Sequence, residues 1–364
     1  MQRFLDLHGI DNEIINYRFE EKIIDPRKLL LPNRAAYKKE EKARKKAFKE
    51  DPGYMCAMAV RRSVMDAFVR DNLRLSERCG TLKQAGALAE KRYSSVVCGS
   101  DQIWLPSHIL ERYYTLEFVP DGIKRIAYAP SFGVNDMPGY IKKDCINALR
   151  KFDSISVRER SGAEIAKEIT GGPCAVAADP TLLLTREAWR DAVKNTPVRT
   201  DKGYALGYFI GGSSGKRLIA ENWAHSNGLE FIMLPGGTSS SILDKEYADR
   251  LFYDAGPFDF IKLIENADAV FTDSFHGSVF SIIFGKPLFC FERFRKGDAV
   301  STNSRIYSLL EMAGMKNRLV SSSNIDLSAA GKTDYGKAEE NIRCFREESA
   351  AYLLNALKNE KQYM

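Results

Sequence analysis

Residues 268 to 293 read Asp-Ala-Val-Phe-Thr-Asp-Ser-Phe-His-Gly-Ser-Val-Phe-Ser-Ile-Ile-Phe-Gly-Lys-Pro-Leu-Phe-Cys-Phe-Glu-Arg, and their hydrophobic period changes twice. Ala269 to Thr272 is a short run of β-formers, Asp273 and Ser274 are helix N-cap types, and Val279, Ile282 and Ile283 recur at helical spacing. Gly285 stands where a C′ glycine belongs, Pro287 forbids continuation, and Leu288 to Phe291 starts another strand. The stretch predicts a βαβ unit. Units of this kind build open α/β sheets, which bind ligands at the carboxyl ends of their strands.

His276 falls in the turn of that unit, with Ser274 before it and Lys286 after it. A histidine there can simply cap the helix or hydrogen-bond in the core. Equally, a titratable ring, a hydroxyl and a cation around a helix N-terminus describe a site for phosphate or carboxylate, because free backbone N–H groups attract anions.

Working outward, the second half of the chain alternates in the same way. Tyr204 to Ile210 predicts a strand, 216 to 227 a helix, Leu229 to Leu234 a strand, and Pro257 the start of a helix running to Asn266. The loop Gly211-Gly-Ser-Ser-Gly-Lys216 is not a P-loop, since Ile210 replaces the first glycine and Arg217 the magnesium-binding hydroxyl; it reads as a flexible turn or a weak phosphate cradle. Asn303 and Arg305 follow the βαβ unit and can reach the same face. Residues 337 to 358 have the pattern of a long amphipathic helix packing back across the protein.

The first half opens with the tail of a helix over residues 1 to 8, closed by Gly9, and a strand from Glu13 to Tyr17. Helices are predicted over 36–50, 55–72 and Leu82 to Arg92. The strand Ser94 to Cys98 ends in Gly99-Ser100-Asp101-Gln102, which again places polar residues at a strand's carboxyl end. Strands Arg125 to Ala129, Ser154 to Val157 and Ala175 to Ala178 follow, with helices near 138–151 and from Ser161. Arg158-Glu159-Arg160 is either a salt-bridged rim or a guanidinium clamp for an anionic group. The polar stretch Lys194 to Lys202 marks the linker. The division expected is an N-terminal α/β domain over 1–193 on the acceptor side, a C-terminal Rossmann-like domain over 203–330 on the donor side, and a C-terminal helical segment over 335–364.

With 364 residues, 44% of them hydrophobic and 28% charged, the chain has globular composition and room for two domains. No run of about 18 apolar residues occurs and the N-terminus lacks a signal peptide's apolar segment, which points to a cytoplasmic protein. Seven scattered cysteines without C-x-x-C spacing support neither disulfides nor a zinc site. The charge of +6 owes much to the basic run Lys38 to Lys49. That run reads as a solvated helix face, or else as a peripheral contact with an acidic polymer or the inner face of a membrane. No nucleic-acid module is present.

Taken in order, Val97-Cys-Gly-Ser-Asp-Gln-Ile-Trp104, Tyr128-Ala-Pro-Ser-Phe-Gly133, Ser156-Val-Arg-Glu-Arg-Ser-Gly162, Asp179-Pro-Thr181, and Thr272-Asp-Ser-Phe-His-Gly277 with Gly285-Lys-Pro287 resemble the polysaccharide pyruvyl transferase family. The resemblance implies two Rossmann-like domains facing a cleft, similar to GT-B glycosyltransferases. It implies transfer of pyruvate from phosphoenolpyruvate to a sugar or lipid-linked saccharide as a ketal. Members usually begin with a strand and an Asn-Tyr-Gly-rich loop, so the resemblance also implies that the first strand of the N-terminal domain is absent here.

That chemistry needs an acid and base near neutral pH and holders for two anionic groups. His276, alone of the four histidines in such a motif, is assigned as acid or base. Arg158, Arg160 and Lys286 are assigned as clamps, with Ser274 adding hydrogen bonds; Ser100, Asp101 and Gln102 face the acceptor, and Asn303 and Arg305 complete the donor face. No metal or cofactor is called for, since the cations are side chains. Two other readings are a GT-B glycosyltransferase using a nucleotide sugar and a non-catalytic carbohydrate-binding protein on the same fold.

Overall fold

The computed structural model describes the chain apart from residues 21–24, 31–37, 39–40, 43–44, 47–48, 50–51, 135, 237–239, 295–300, 321–333 and 359–364. Of the helix expected over 36–50, residues 38, 41, 42, 45, 46 and 49 are described; they are helical and exposed, and include Lys38, Lys42, Lys45, Lys46 and Lys49 of the basic run.

Twelve strands are found among the described residues: β1 (Ile14–Tyr17), β2 (Leu75–Cys79), β3 (Ser95–Cys98), β4 (Lys124–Ala127), β5 (Ser154–Val157), β6 (Ala175–Val176), β7 (Tyr204–Tyr208), β8 (Glu230–Met233), β9 (Arg250–Leu251), β10 (Ala269–Thr272), β11 (Leu288–Phe291) and β12 (Leu319–Val320). Strands β3-β4-β5-β6 form one sheet and β12-β11-β10-β7-β8-β9 a second, with all pairings parallel. The architecture is α/β with two Rossmann-like halves, the GT-B-like arrangement the motifs implied.

In the larger sheet the chain runs outward from β7 to β9, then returns to lay β10 against the other side of β7. The order reverses between β7 and β10. At such a switch point the loops after the two strands diverge and leave a crevice. Tyr208 pairs with Thr272 at the end of this seam, so the Gly211 loop and Asp273 share the crevice. Both strands are apolar along their length because both faces are covered, as parallel sheets require.

The helix Phe275–Phe284 after β10 has nine of its ten residues buried. Ser274 caps it by accepting the Gly277 N–H at 3.3 Å, and Gly285, at φ 65°, closes it in the left-handed conformation that glycine adopts without steric cost. No Cβ fits at Gly277, where it would meet the Thr272 hydroxyl at 2.5 Å, so strand and helix pack at backbone distance.

β1 forms as read, but it pairs with β2, apart from the four-stranded sheet. The sequence of β2, Leu-Ser-Glu-Arg-Cys, lacks an alternating strand pattern, and its burial does not alternate either: Ser76 and Cys79 are buried while Glu77 and Arg78 are exposed. The helices Arg186–Ala192 and Ser304–Met312 were also not anticipated. Helix Tyr335–Lys358 ties the halves together. Its Tyr335 hydroxyl donates to the Lys286 carbonyl of the second domain at 2.7 Å, while Ser349 accepts the Ala178 N–H at 2.8 Å and Lys124 donates to the Leu357 carbonyl at 2.7 Å in the first.

Candidate functional site

The ends of β3, β5 and β6 deliver Ser100, Arg158 and Asp179 to one point. Asp179 is 3% exposed, and its Oδ1 accepts the N–H and hydroxyl of Thr181 at 3.0 and 2.8 Å. Its Oδ2 accepts from Ser100 Oγ and from Arg158 Nη1, each at 2.9 Å. Facing the same oxygen across the cleft, Nε2 of His276 lies 3.7 Å away, carried on the first turn of helix Phe275–Phe284. Burial alone would raise the Asp179 pKa, but His276, Arg158 and the Thr181 amide hold it well below the ordinary value. A buried carboxylate behind a one-third exposed imidazole can orient the ring.

Arg158 is 5% exposed, and its guanidinium lies 4.4 Å over the ring of Phe275, a second link between the domains. Its Nη2 donates to Asp101 Oδ1 at 3.3 Å. Asp101 itself has φ 77°, a left-handed conformation uncommon for aspartate, which the bridge to Pro130 and the Ser131 N–H on its carbonyl at 2.8 Å hold in place. Glu159 points inward as well, accepting from Ser131 Oγ at 2.7 Å, and burial raises its pKa. The triplet Arg158-Glu159-Arg160 is therefore not a rim of like residues. Two are core members and only Arg160 is solvated, 3.6 Å from Glu311.

Arg305, on the first turn of helix Ser304–Met312, brings a second guanidinium to Asp101 at 3.7 Å and donates to Thr302 Oγ1 at 2.9 Å. Burial pushes its pKa down to about 10, with repulsion from Arg158 and Arg293 adding to the effect. Arg158 is matched by Asp179, Asp101 and Glu159, whereas Arg305 has only the shared Asp101 at 3.7 Å, which leaves Arg305 the guanidinium with most capacity for an anion. Arg158, Arg160, Arg305 and Phe275 line a cavity of about 310 Å³ there.

Asp273 anchors a second buried network. Its Oδ1 accepts the Ile210 N–H at 2.7 Å, and its Oδ2 meets the Gly211 N–H at 3.2 Å and Lys216 Nζ at 3.1 Å. The Gly211 N–H and the Lys216 ammonium of the glycine loop are thus bound to the protein's own carboxylate. Arg293 Nη2 donates to the Asp273 carbonyl at 3.1 Å.

The remaining candidates separate. Ser274 is occupied as the N-cap. Gln102 packs its side chain against Gly133, within 2.8 Å of where a Cβ would lie. Asn303 is 2% exposed and structural: its Oδ1 accepts the N–H groups of Arg293 and Phe294 at 3.1 and 3.2 Å, and its Nδ2 donates to the Phe294 carbonyl at 2.8 Å. Lys286 is not brought to the cluster, because it lies beyond the C-terminus of the helix whose first turn holds His276, about 15 Å along the axis. Asp179, Asp273, Lys216, Arg293 and Phe275 were missed as site residues. The only trace of Asp179 in the sequence was the Asp-Pro-Thr turn, whose second residue starts a short 3-10 helix over Pro180–Leu183.

Comparison with known proteins places this geometry in context. The solved structures it resembles include a UDP-GlcNAc 2-epimerase from Neisseria meningitidis bound to UDP-GlcNAc, 10% identical, with 75% of this chain and 80% of that chain covered at a TM-score of 0.44. Another is UDP-N-acetylglucosamine 2-epimerase from Rickettsia bellii, 11% identical, with 82% and 88% covered at a TM-score of 0.37. No curated protein matches. Among the described residues no helix is long and apolar enough to cross a membrane. The family model for polysaccharide pyruvyl transferase matches residues 1–293, which include every strand end that contributes to the His276–Asp179 cluster, and the chain belongs to that family.

Proposed function

We propose that this chain transfers the pyruvyl group of phosphoenolpyruvate to two hydroxyls of a saccharide or lipid-linked saccharide, forming a cyclic ketal and releasing phosphate. The observation that carries the reading is the convergence of one imidazole, backed by a buried carboxylate, with the guanidiniums of Arg158 and Arg305 where the two halves meet, Arg305 having only a carboxylate it shares with Arg158.

In this reading protonated His276 delivers its proton to the methylene carbon of phosphoenolpyruvate, and cationic character develops at the neighbouring carbon. A sugar hydroxyl adds there and returns its proton to the imidazole. Phosphate then leaves with the bonding electron pair, and the second hydroxyl closes the ring as its proton passes to phosphate. Asp179 keeps the imidazolium oriented without taking the proton. Arg305 and Arg160 hold the phosphate and carboxylate, while Arg158, already committed to Asp179 and Asp101, adds positive potential from behind. General acid–base catalysis of this kind contributes about 10²- to 10⁴-fold. Neither metal nor cofactor enters, since side chains supply the charges.

Thermal denaturation with added phosphoenolpyruvate tests the donor, because a ligand that binds only the native state raises Tm. A rise that is lost in Arg305→Ala supports the reading. A rise with UDP or GDP, and none with phosphoenolpyruvate, would replace it with glycosyl transfer.

A further inference from the structure

A second cavity, of about 340 Å³, meets His276 and is not part of the guanidinium pocket. Helix Pro52–Asn72 forms its outer wall through Arg61, Met65 and Phe68, and the inner wall comes from the second domain together with Trp189 of helix Arg186–Ala192. The helix sits close because Gly256 has no side chain: a Cβ there would stand 3.0 Å from Val64 Cγ1. Phe68 meets Phe258 edge-on with ring centroids 5.0 Å apart. Tyr208 packs on Phe260 at 4.9 Å, Phe260 on Phe280 at 5.8 Å, and Trp189 on Phe280 at 5.0 Å. The walls are therefore aromatic surfaces packed ring against ring, Phe68 with Phe258 on one side and Tyr208, Phe260, Phe280 and Trp189 in series on the other.

We infer that this cavity is the acceptor subsite, and that it holds one hexose residue with an apolar ring face against the aromatic wall and its reacting hydroxyls at His276. The inference rests on the reading of His276 as the proton-transferring group. The volume suits a single pyranose ring and lies at the small end of ligand pockets. Sugar rings present C–H groups on one face and hydroxyls on the rim, so they need aromatic platforms together with a few polar groups. Arg61 is the cationic member of the lining, and its charge reaches Tyr208 and Asp244. The guanidinium supplies donors to the rim hydroxyls. This puts the acceptor between helix Pro52–Asn72 and the second domain, in place of the Ser100–Gln102 turn. The donor then enters from the Arg305 side, and His276 stands between the two.

Trp189 lines the cavity and reports on it, whereas Trp104 is fully buried in the first domain. Intrinsic tryptophan fluorescence is titrated with the methyl glycosides of glucose, galactose, mannose and N-acetylglucosamine, in the wild type and in Trp189→Phe, Arg61→Gln and Phe258→Ala. The expected result is a saturable change with at least one glycoside, abolished in Trp189→Phe, its Kd raised about tenfold in Arg61→Gln and Phe258→Ala. Both of those variants should keep the phosphoenolpyruvate-dependent rise in Tm, which shows that they are folded and that the donor site is separate. No response to any of the four in a chain that phosphoenolpyruvate stabilises would overturn the acceptor assignment while leaving the donor reading intact. Sugar binding at Trp189 without stabilisation by phosphoenolpyruvate would uphold the subsite and defeat the transfer reading instead.

Discussion

Asp179 Oδ2 of the first domain stands 3.7 Å from Nε2 of His276 in the second. The carboxylate is buried beside Arg158 and the imidazole is partly open to solvent, so the charge that orients the ring is supplied only when the two halves are assembled. Any opening of the cleft separates the proposed acid from its partner.

Replacing Asp179 by asparagine should be costly in two ways. It leaves Arg158 with a buried, poorly compensated charge, a loss on the order of 3–5 kcal/mol. It also frees the ring of His276, so turnover in whatever fraction remains folded should fall by about 10²-fold or more. Denaturant unfolding and steady-state phosphate release measure the two effects separately.

The pH dependence of stability carries a sign that can be checked. Because the folded pKa of Asp179 lies below its ordinary value, its stabilisation is fully present above about pH 4 and is lost as the pH falls through the lower folded value. Asp244, buried against Arg217, behaves oppositely: burial raises it to about 6, so its contribution is present at low pH and is lost as pH rises through about 6. Tm profiles should show a steeper acid limb below pH 4 in the wild type than in Asp179→Asn. Asp244→Asn should remove the decline between about pH 4 and 6.

Arg305→Ala should weaken phosphoenolpyruvate binding by about 10- to 100-fold, the worth of a charge-assisted contact to an anion. Lys286→Ala should leave it unchanged, since Lys286 sits at the far end of helix Phe275–Phe284. Isothermal titration of both variants distinguishes the structural placement from the sequence-based expectation that Lys286 is a clamp.

Asn303→Ala should act through the backbone it tethers. The amides of Arg293 and Phe294 lose their acceptor, at a cost of about 1–3 kcal/mol, and Arg293 loses its fixed approach to Asp273. The expected signature is a lower Tm together with a higher KM for phosphoenolpyruvate.

The βαβ unit was legible because local signals coincide in it: an apolar strand, an N-cap serine, a C′ glycine and a proline all fall within 268–293. The observed strands β10 and β11 and helix Phe275–Phe284 begin and end where those signals put them. Pairing was not legible, since β1 joins β2 across a separation of about sixty residues and nothing local in Leu-Ser-Glu-Arg-Cys announces it. Within the site, His276, Arg158, Ser100 and Asp101 do converge. Asp179 stood within a quoted Asp-Pro-Thr motif but had no role assigned, because such a turn is an ordinary loop until the fold brings a guanidinium and an imidazole against it. Lys286 misled for the converse reason: ten residues are few in sequence yet span a whole helix in space.

The central claim is that His276, held by Asp179, puts a proton on the methylene carbon of phosphoenolpyruvate. Running the reaction in D₂O and reading the pyruvyl methyl group of the product by NMR tests it most directly. The account predicts one deuterium per ketal formed, phosphate released in equal amount, and loss of both in His276→Ala while phosphoenolpyruvate still raises Tm. Undiminished phosphate release by folded His276→Ala would contradict it.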